Sequence, residues 1–282
     1  MGSLVVLVTG ATDGIGRHTA KRLVESSGAR VLVHGRSEEK ARAAIDYINP
    51  PSSAEEDSCL PIWGDLASVD GTLEVASQVE AAGGVDVLIN NAGVFSKGPR
   101  KEGGDGLELT WAVNVLAPYV LTRRLLESGA VRKHIVNVAS ISATGEFVWD
   151  DLQLVKRYSD HAAYSMSKLA SIAYTLGLSR RLREEGNQIT ANCLDPGTVD
   201  TKMLAAGWAC GGIPVDAADD EYWLATDAEA GQNTGRYYVG KRETSVPRAA
   251  LNRDAQDRLW DILEEQADKF ASSGMRSSSA MP

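Results

Sequence analysis

The chain has 282 residues, of which 43% are hydrophobic and 24% charged, enough apolar material for one large α/β domain and too much for wholesale disorder. Its formal charge of -9, with no cluster of Lys and Arg, excludes nucleic acid as a partner, because phosphate recognition needs a basic face. No run of about 18 apolar residues occurs, which excludes an integral membrane segment and leaves a cytoplasmic placement as the expectation, and Cys59, Cys193 and Cys210 lack the spacing of a metal site or disulfide framework.

Taken in chain order, short β-branched runs alternate with patterns of apolar residues at three and four spacing. Strands are predicted at 4–8, 30–34, 60–63, 85–89, 134–138 and 189–194, and helices at 15–26, 38–48, 69–81, 105–126 and 162–185. This alternation predicts a Rossmann-type doubly wound parallel sheet with helices on both faces. Asn49-Pro50-Pro51-Ser52-Ser53 reads as a loop and 235–239 as a late edge strand. Residues 1–270 are expected to form one dinucleotide-binding and catalytic domain, with a substrate loop at 201–231, and the Ser-rich 271–282 a disordered tail. Both a monomer and a homo-oligomer are compatible with this pattern.

The first strand runs directly into Thr9-Gly10-Ala11-Thr12-Asp13-Gly14-Ile15-Gly16 and then a helix, the place where a dinucleotide pyrophosphate binds a helix N-terminus. Gly10 permits the tight turn, Gly14 close approach to phosphate and Gly16 close helix packing, with Thr12, Asp13 and Ile15 completing the cradle. After the second strand comes His34-Gly35-Arg36-Ser37, without the acidic residue that would take the ribose 2′-hydroxyl of NAD. Gly35 leaves room for a 2′-phosphate, Arg36 offers a charged fork and Ser37 a second donor, so NADP(H) is expected over NAD(H). Arg17 is either another phosphate ligand or a solvated helix residue. Asp65, followed by Leu66, either accepts from the adenine amino group or caps the next segment.

The fourth strand closes on Asn90-Asn91-Ala92-Gly93, a corner small enough to pack against a cofactor, with Asn91, Ala92 and Gly93 as its contacts. Asn114 is a polar residue in an apolar helix, and a water relay toward Lys168 would satisfy it. Ser140 ends the fifth strand, where α/β sheets bind ligands, with Ser142 its rival for the same role. Tyr164 and Lys168 are four apart on one helix, so a cation can lie beside a phenol whose reference pKa is roughly 10.

This ordered set resembles the short-chain dehydrogenase/reductase family: TGxxxGIG at 9–16, NNAG at 90–93, Asn114, Ser140, YxxxK at 164–168, and Pro196-Gly197. The resemblance implies that Tyr164 is the general acid in reduction and base in oxidation. It implies that Lys168 lowers the phenol pKa and holds the nicotinamide ribose, that Ser140 polarises the carbonyl and that Asn114 completes the relay. Pro196, Gly197, Val199 and Thr201 would hold the nicotinamide carboxamide. Ser140 and Tyr164 are 24 positions apart, longer than the family's usual spacing. The inserted 145–151, the Arg180–Arg183 cluster and 235–240 look like the retinol-dehydrogenase-like branch, here without a membrane anchor.

Phe147, Trp149, Met203, Leu204 and Trp208, with Trp223 nearby, are the expected walls for a bulky lipophilic substrate. The six carboxylates and no Lys or Arg of 216–229 point to a neutral or cationic one. The reading is therefore an NADPH-dependent reductase, reversible as an alcohol dehydrogenase, that needs no metal. Its rivals are a cofactor-binding regulatory protein with little catalysis and a retinoid dehydrogenase.

Overall fold

A computed structural model describes residues 3–48 and 58–278. Strand β1 (Val5–Val8) sends Leu7 to one face of the sheet, and Val6 and Val8 to the other, as the two-residue period of a strand requires. Helix α1 (Gly14–Ser27) begins where Asp13 accepts from the Gly14 N–H and ends at Gly28 in the left-handed conformation. Strand β2 (Arg30–Gly35), helix α2 (Glu38–Ile48), strand β3 (Cys59–Trp63) and helix α3 (Val69–Ala81) follow as the sequence predicts. The loop expected at Asn49 to Ser53 lies outside the described residues.

Beyond strand β4 (Val85–Asn90) the predicted single helix over 105–126 is broken into three pieces. A short α4 (Leu109–Trp111) leads into a π-helical turn at Ala112–Leu116, and α5 (Ala117–Glu127) continues from it. The wide turn holds Asn114, and its cause is tertiary: the Asn114 side chain bonds the main chain of Val94 rather than solvent. Strand β5 (Val131–Val138), helix α6 (Asp160–Glu184, capped by Ser159) and strand β6 (Thr190–Asp195) complete the predicted series.

After β6 come elements that the sequence pattern missed: α7 (Lys202–Gly207), a 3₁₀ turn at Val215–Ala217, α8 (Asp220–Thr226) and α9 (Ala228–Gln232). Strand β7 (Tyr237–Val239) is not the edge, because β8 (Arg242–Glu243) pairs antiparallel outside it. Helices α10 (Arg248–Leu251) and α11 (Arg253–Ser278) end the described chain. Helix α11 runs into the stretch expected as a disordered tail from 271, because apolar Leu259, Leu263 and Ala267 recur at helical spacing and bury against the domain.

The strand order is β3-β2-β1-β4-β5-β6-β7-β8, parallel up to β7. One core lies between the sheet and α3, α5, α6 and α11, the other between the sheet and α1, α2, α8 and α9. The order reverses between β1 and β4, so a crevice opens at the carboxyl ends of those strands, where such sheets bind ligands.

Candidate active site

The glycine turn at the end of β1 is held from three sides. Gly10 has φ +67°, and a β-carbon there would stand 2.9 Å from the Ala92 Cα. The Gly10 N–H donates to Nδ1 of buried His34, whose Nε2 faces the Gly64 carbonyl at 3.1 Å. Burial pushes the His34 imidazole down to about 4, so it stays neutral, with one nitrogen accepting and the other donating. Asn91 donates to the carbonyls of Thr9 and Gly10, and the Ala92 N–H donates to Thr9 Oγ1. Asn90 donates to Thr122 and Asn137 inside the core. The side-chain donor of Asn91, expected as a cofactor contact, thus holds the turn, and that of Asn90 braces the core beneath it.

The residues fit a dinucleotide. A β-carbon on Gly14 would meet only Thr201 Cγ2, at 3.5 Å, so the N-terminus of α1 stays open between Ile15 and the segment opposite. A β-carbon on Gly93 would lie 3.5 Å from Asn114 Oδ1 and 3.6 Å from Lys168 Nζ, filling the space beside the dyad that glycine leaves clear. Asp13 faces Lys202 and Arg17, so its carboxylate clasps α7 rather than standing free. Arg17 itself lies over the Tyr47 ring at 4.2 Å.

At the end of β2, Arg36 is exposed and Ser37 is half-buried at the start of α2. The room expected at Gly35 is already taken: a β-carbon there would stand 2.7 Å from Thr12 Cγ2, so this glycine admits Thr12 rather than a phosphate. Asp65 accepts from the Ala67 N–H through one oxygen, Ser68 caps α3, and Leu66 buries its side chain in the core.

The residues expected to be catalytic lie together where β4, β5, β6 and α6 meet. Tyr164 and Lys168 lie on α6 with the ammonium 5.6 Å from the phenol ring centre. Ser140 lies near enough to lower the phenol and accepts from the Ser142 N–H through its Oγ, whereas Ser142 accepts from Ser165 through its carbonyl. Lys168 is buried and donates to the Val138 carbonyl at 2.7 Å. Burial pushes the Tyr164 phenol up to about 12, against the opposing influence of Ser140, and pushes Lys168 down to about 8. Within the protein itself desolvation is the largest influence on the phenol.

Asn114 departs from its expected water-bound state. Its Oδ1 accepts from the Val94 N–H, and its Nδ2 donates to the Val94 carbonyl and to Ser167 Oγ, so protein groups satisfy the side chain. Its main-chain carbonyl accepts from Ser171 Oγ, beside a small cavity lined by Asn90, Asn137, Ser171 and Tyr174.

Of the expected substrate residues, Trp208 alone is in ring contact with Tyr164, with centres 5.3 Å apart. Phe95 and His161, which sequence reasoning missed, complete the enclosure: Phe95 lies 5.8 Å from Tyr164 and 5.0 Å from both His161 and Trp208. Phe95 follows the Gly93 corner and His161 lies three residues before Tyr164 on α6, so only their proximity to Tyr164 in the fold could have flagged them. Phe147 stacks on Trp149, and Trp149 packs under Arg258 of α11, so this pair anchors the insert to the last helix. Trp223 packs edge-on against Tyr238 instead. Met203 and Leu204 are half-buried on α7, which Thr201 caps through its hydroxyl oxygen, and Val199 bridges to Ile213.

Three of the six carboxylates in the acidic run 216–229 are engaged within the fold. Asp219 pairs with His18 and Arg22, Asp227 caps α9, and Glu221 is buried against Thr19.

The profile of the family described as short chain dehydrogenase matches residues 4–209. The chain is 33% identical over 277 residues to human polyprenol dehydrogenase, covering 91% of this chain and 82% of that protein. It is 32% identical over 289 residues to human retinol dehydrogenase 14, covering 92% and 84%. A crystal structure of an uncharacterized protein from Mycobacterium paratuberculosis superposes with a TM-score of 0.76 at 26% identity, covering 94% and 93% of the two chains.

Proposed function

The chain belongs to the short-chain dehydrogenase family, and from that premise we propose that it reduces the carbonyl of a bulky lipophilic molecule with NADP(H) preferred over NAD(H), reversibly. It is an oxidoreductase acting on alcohol and carbonyl groups. The observation that carries the finer reading is the buried Tyr164, near Ser140, neighboured by Lys168 and packed against Phe95 and Trp208, which His161 joins.

A phenol pushed up to about 12 keeps its proton at neutral pH, so Tyr164 is ready to donate to the oxygen of a carbonyl that is being reduced. Ser140 presents its hydroxyl to that same oxygen, fixing it and stabilising developing negative charge. Lys168 supplies positive charge beside the phenol, and Asn114 holds the Gly93 corner through Val94. The glycine turn would hold NADPH, with Arg36 at its 2′-phosphate, and the cofactor would supply the hydride. The Arg36 reading rests on an exposed guanidinium at the end of β2 and no carboxylate in 34–37.

The aromatic enclosure suits a flat or unsaturated apolar substrate, because ring faces and edges pack best against such groups. The relatives named for polyprenol and retinol make isoprenoid alcohols and aldehydes the first compounds to try. With Asp219, Glu221 and Asp227 engaged elsewhere, a neutral substrate is the simpler expectation. The test is a carbonyl panel, isoprenoid aldehydes included, with NADPH and then NADH, followed at the nicotinamide absorbance. Turnover with NADPH that Tyr164→Phe abolishes while cofactor still binds supports the reading. Tighter binding of NADH, or turnover retained by Tyr164→Phe, overturns it.

A further inference from the structure

We propose that Asp195 is a positioning residue, tying the Ser140 turn to the Pro196-Gly197 turn and holding the Tyr164–Lys168 pair in its proton-donating form. The inference rests on the oxidoreductase reading above for what the pair does, but not for where the carboxylate lies.

Asp195 closes β6 and is 3% exposed. In the β5–β6 register Val138 lies opposite Leu194, and the Ala139 N–H donates to the Leu194 carbonyl, so Asp195 stands beside the strand end that leads into Ser140. One of its carboxylate oxygens accepts from the Ile141 N–H and the other from the Gly197 N–H, each at 2.7 Å. A single side chain thus bridges the residue after the catalytic serine and the turn that follows β6. Lys168 donates to the Val138 carbonyl on the same pair of strands, which brings its ammonium close to this anion.

The charged and titratable groups that feel Asp195 are Tyr164 and Lys168 from α6, Asp220 from α8 and Tyr237 from β7. Toward the dyad its two effects agree: it disfavours the phenolate and favours the ammonium, so both push toward a neutral phenol beside a protonated amine. Glu221 adds to the second effect, being the other anion that favours protonated Lys168. Asp220 and Tyr237 are themselves disfavoured from ionising by Asp195, so neither offsets it. Burial would otherwise strip the proton from Lys168, and a carboxylate anchored by main-chain N–H groups opposes that without moving.

The test uses Asp195→Asn and Asp195→Ser in the full chain, the second placing no amide donor against the Ile141 N–H. In alcohol oxidation Tyr164 must lose its proton, so the rising limb of kcat against pH should move to lower pH by roughly one unit in both variants. The substrate KM should change by less than about threefold, since uniform binding is untouched. A limb that stays in place in both variants overturns the proposal.

A second measurement needs no turnover. The Tm deficit of Asp195→Asn relative to the parent should shrink as pH rises from 7 to 9, because Lys168 sheds its proton through that range and the attraction disappears. In a Lys168→Met background the deficit should be flat with pH. If no alcohol or carbonyl is turned over and the Tm pattern still holds, the oxidoreductase assignment of the site fails while the Asp195 coupling stands. A deficit that is flat in both backgrounds overturns the coupling.

Discussion

A β-carbon on Gly16 would stand 2.2 Å from Asn91 Nδ2, so the third glycine of the turn is required by the amide that follows β4, the neighbour of β1 in the sheet. That amide already donates to the Thr9 carbonyl at 2.7 Å, and it cannot retreat without losing the bond that closes the turn. Gly16→Ala should therefore destabilise the protein by about 1 to 3 kcal/mol, as overpacking does in a rigid interior. Thermal unfolding without cofactor checks this. An unchanged Tm would mean that Asn91 swings aside at no cost.

Glu221 gives a prediction with a definite pH sign. It is buried, accepts from Thr19 at 3.1 Å through one oxygen, and has no partner for the other. Burial pushes its carboxyl from 4.5 up to about 7. The folded state therefore holds a proton that the unfolded state has lost between those values, and the penalty is absent below 4.5 and complete above about 7. Glu221→Gln keeps an acceptor for Thr19 without the charge, so it should stabilise by on the order of 1 to 3 kcal/mol at pH 8. It should change Tm little at pH 5, and equal Tm shifts at the two pH values would exclude titration of this group as the cause.

Arg36 governs the cofactor choice in the proposed reading. Arg36→Glu places a carboxylate where an NAD-binding site carries one and removes a charged donor from the 2′-phosphate. A charge-assisted bond to a partly solvated phosphate is worth about 1.5 to 3 kcal/mol, so the Kd for NADPH should rise by roughly 10- to 100-fold. The Kd for NADH should stay level or fall, as read by quenching of tryptophan fluorescence. Equal weakening of both would move the discrimination elsewhere.

The parallel sheet from β1 to β6 and the order of the site motifs were legible because each rests on local pattern: β-branched runs, glycines after a strand, Tyr164 and Lys168 one helical turn apart. The rest depends on contacts between distant segments. The π-turn at Asn114 exists because Val94 offers the main-chain partners, and nothing in residues 112–116 announces it. His34 reads as an ordinary strand residue until its ring is found between Gly10 and Gly64. The placing of the aromatic rings was not legible, since Trp149 and Trp208 are equally bulky in sequence, yet one packs under Arg258 and the other against Tyr164. The short helices beyond β6 are too brief for periodicity to register.

Trp208 should set substrate preference. It touches Tyr164, Phe95 and His161 from α7's C-terminal end, and each aromatic pair is worth about 0.5 to 1.5 kcal/mol. Trp208→Ala should raise KM for bulky apolar carbonyls by roughly tenfold, while leaving kcat/KM for small aldehydes within about threefold. A uniform loss across the panel would point to collapse of α7 rather than to a lost wall. Gly207 offers a control, because a β-carbon there would stand 3.0 Å from Phe95 Cε1 and push that ring, so Gly207→Ala should alter preference without removing any aromatic group.

The last helix is built to cover α6. Leu259 and Leu263 are fully buried, Trp260 stacks on Tyr174 and meets Tyr119 edge-on, and Arg181 lies over the Trp260 ring at 4.4 Å. Asp257 accepts from Arg180 and Arg181, and Asp268 from Arg123, so the charged rim repeats the same docking. These exposed pairs add little, and the apolar stripe carries the attachment. Leu263→Ala should cost about 2 to 5 kcal/mol through the cavity it leaves, whereas Asp268→Ala should cost less than about 1. Since Phe147 and Trp149 lean on the same helix through Arg258, Leu263→Ala should also loosen the insert between Ser140 and Tyr164. Amide exchange across residues 145–158 reads that coupling directly: faster exchange there in Leu263→Ala, and none in Asp268→Ala, is the expected pattern, and unchanged exchange in both would show that the insert stands without α11.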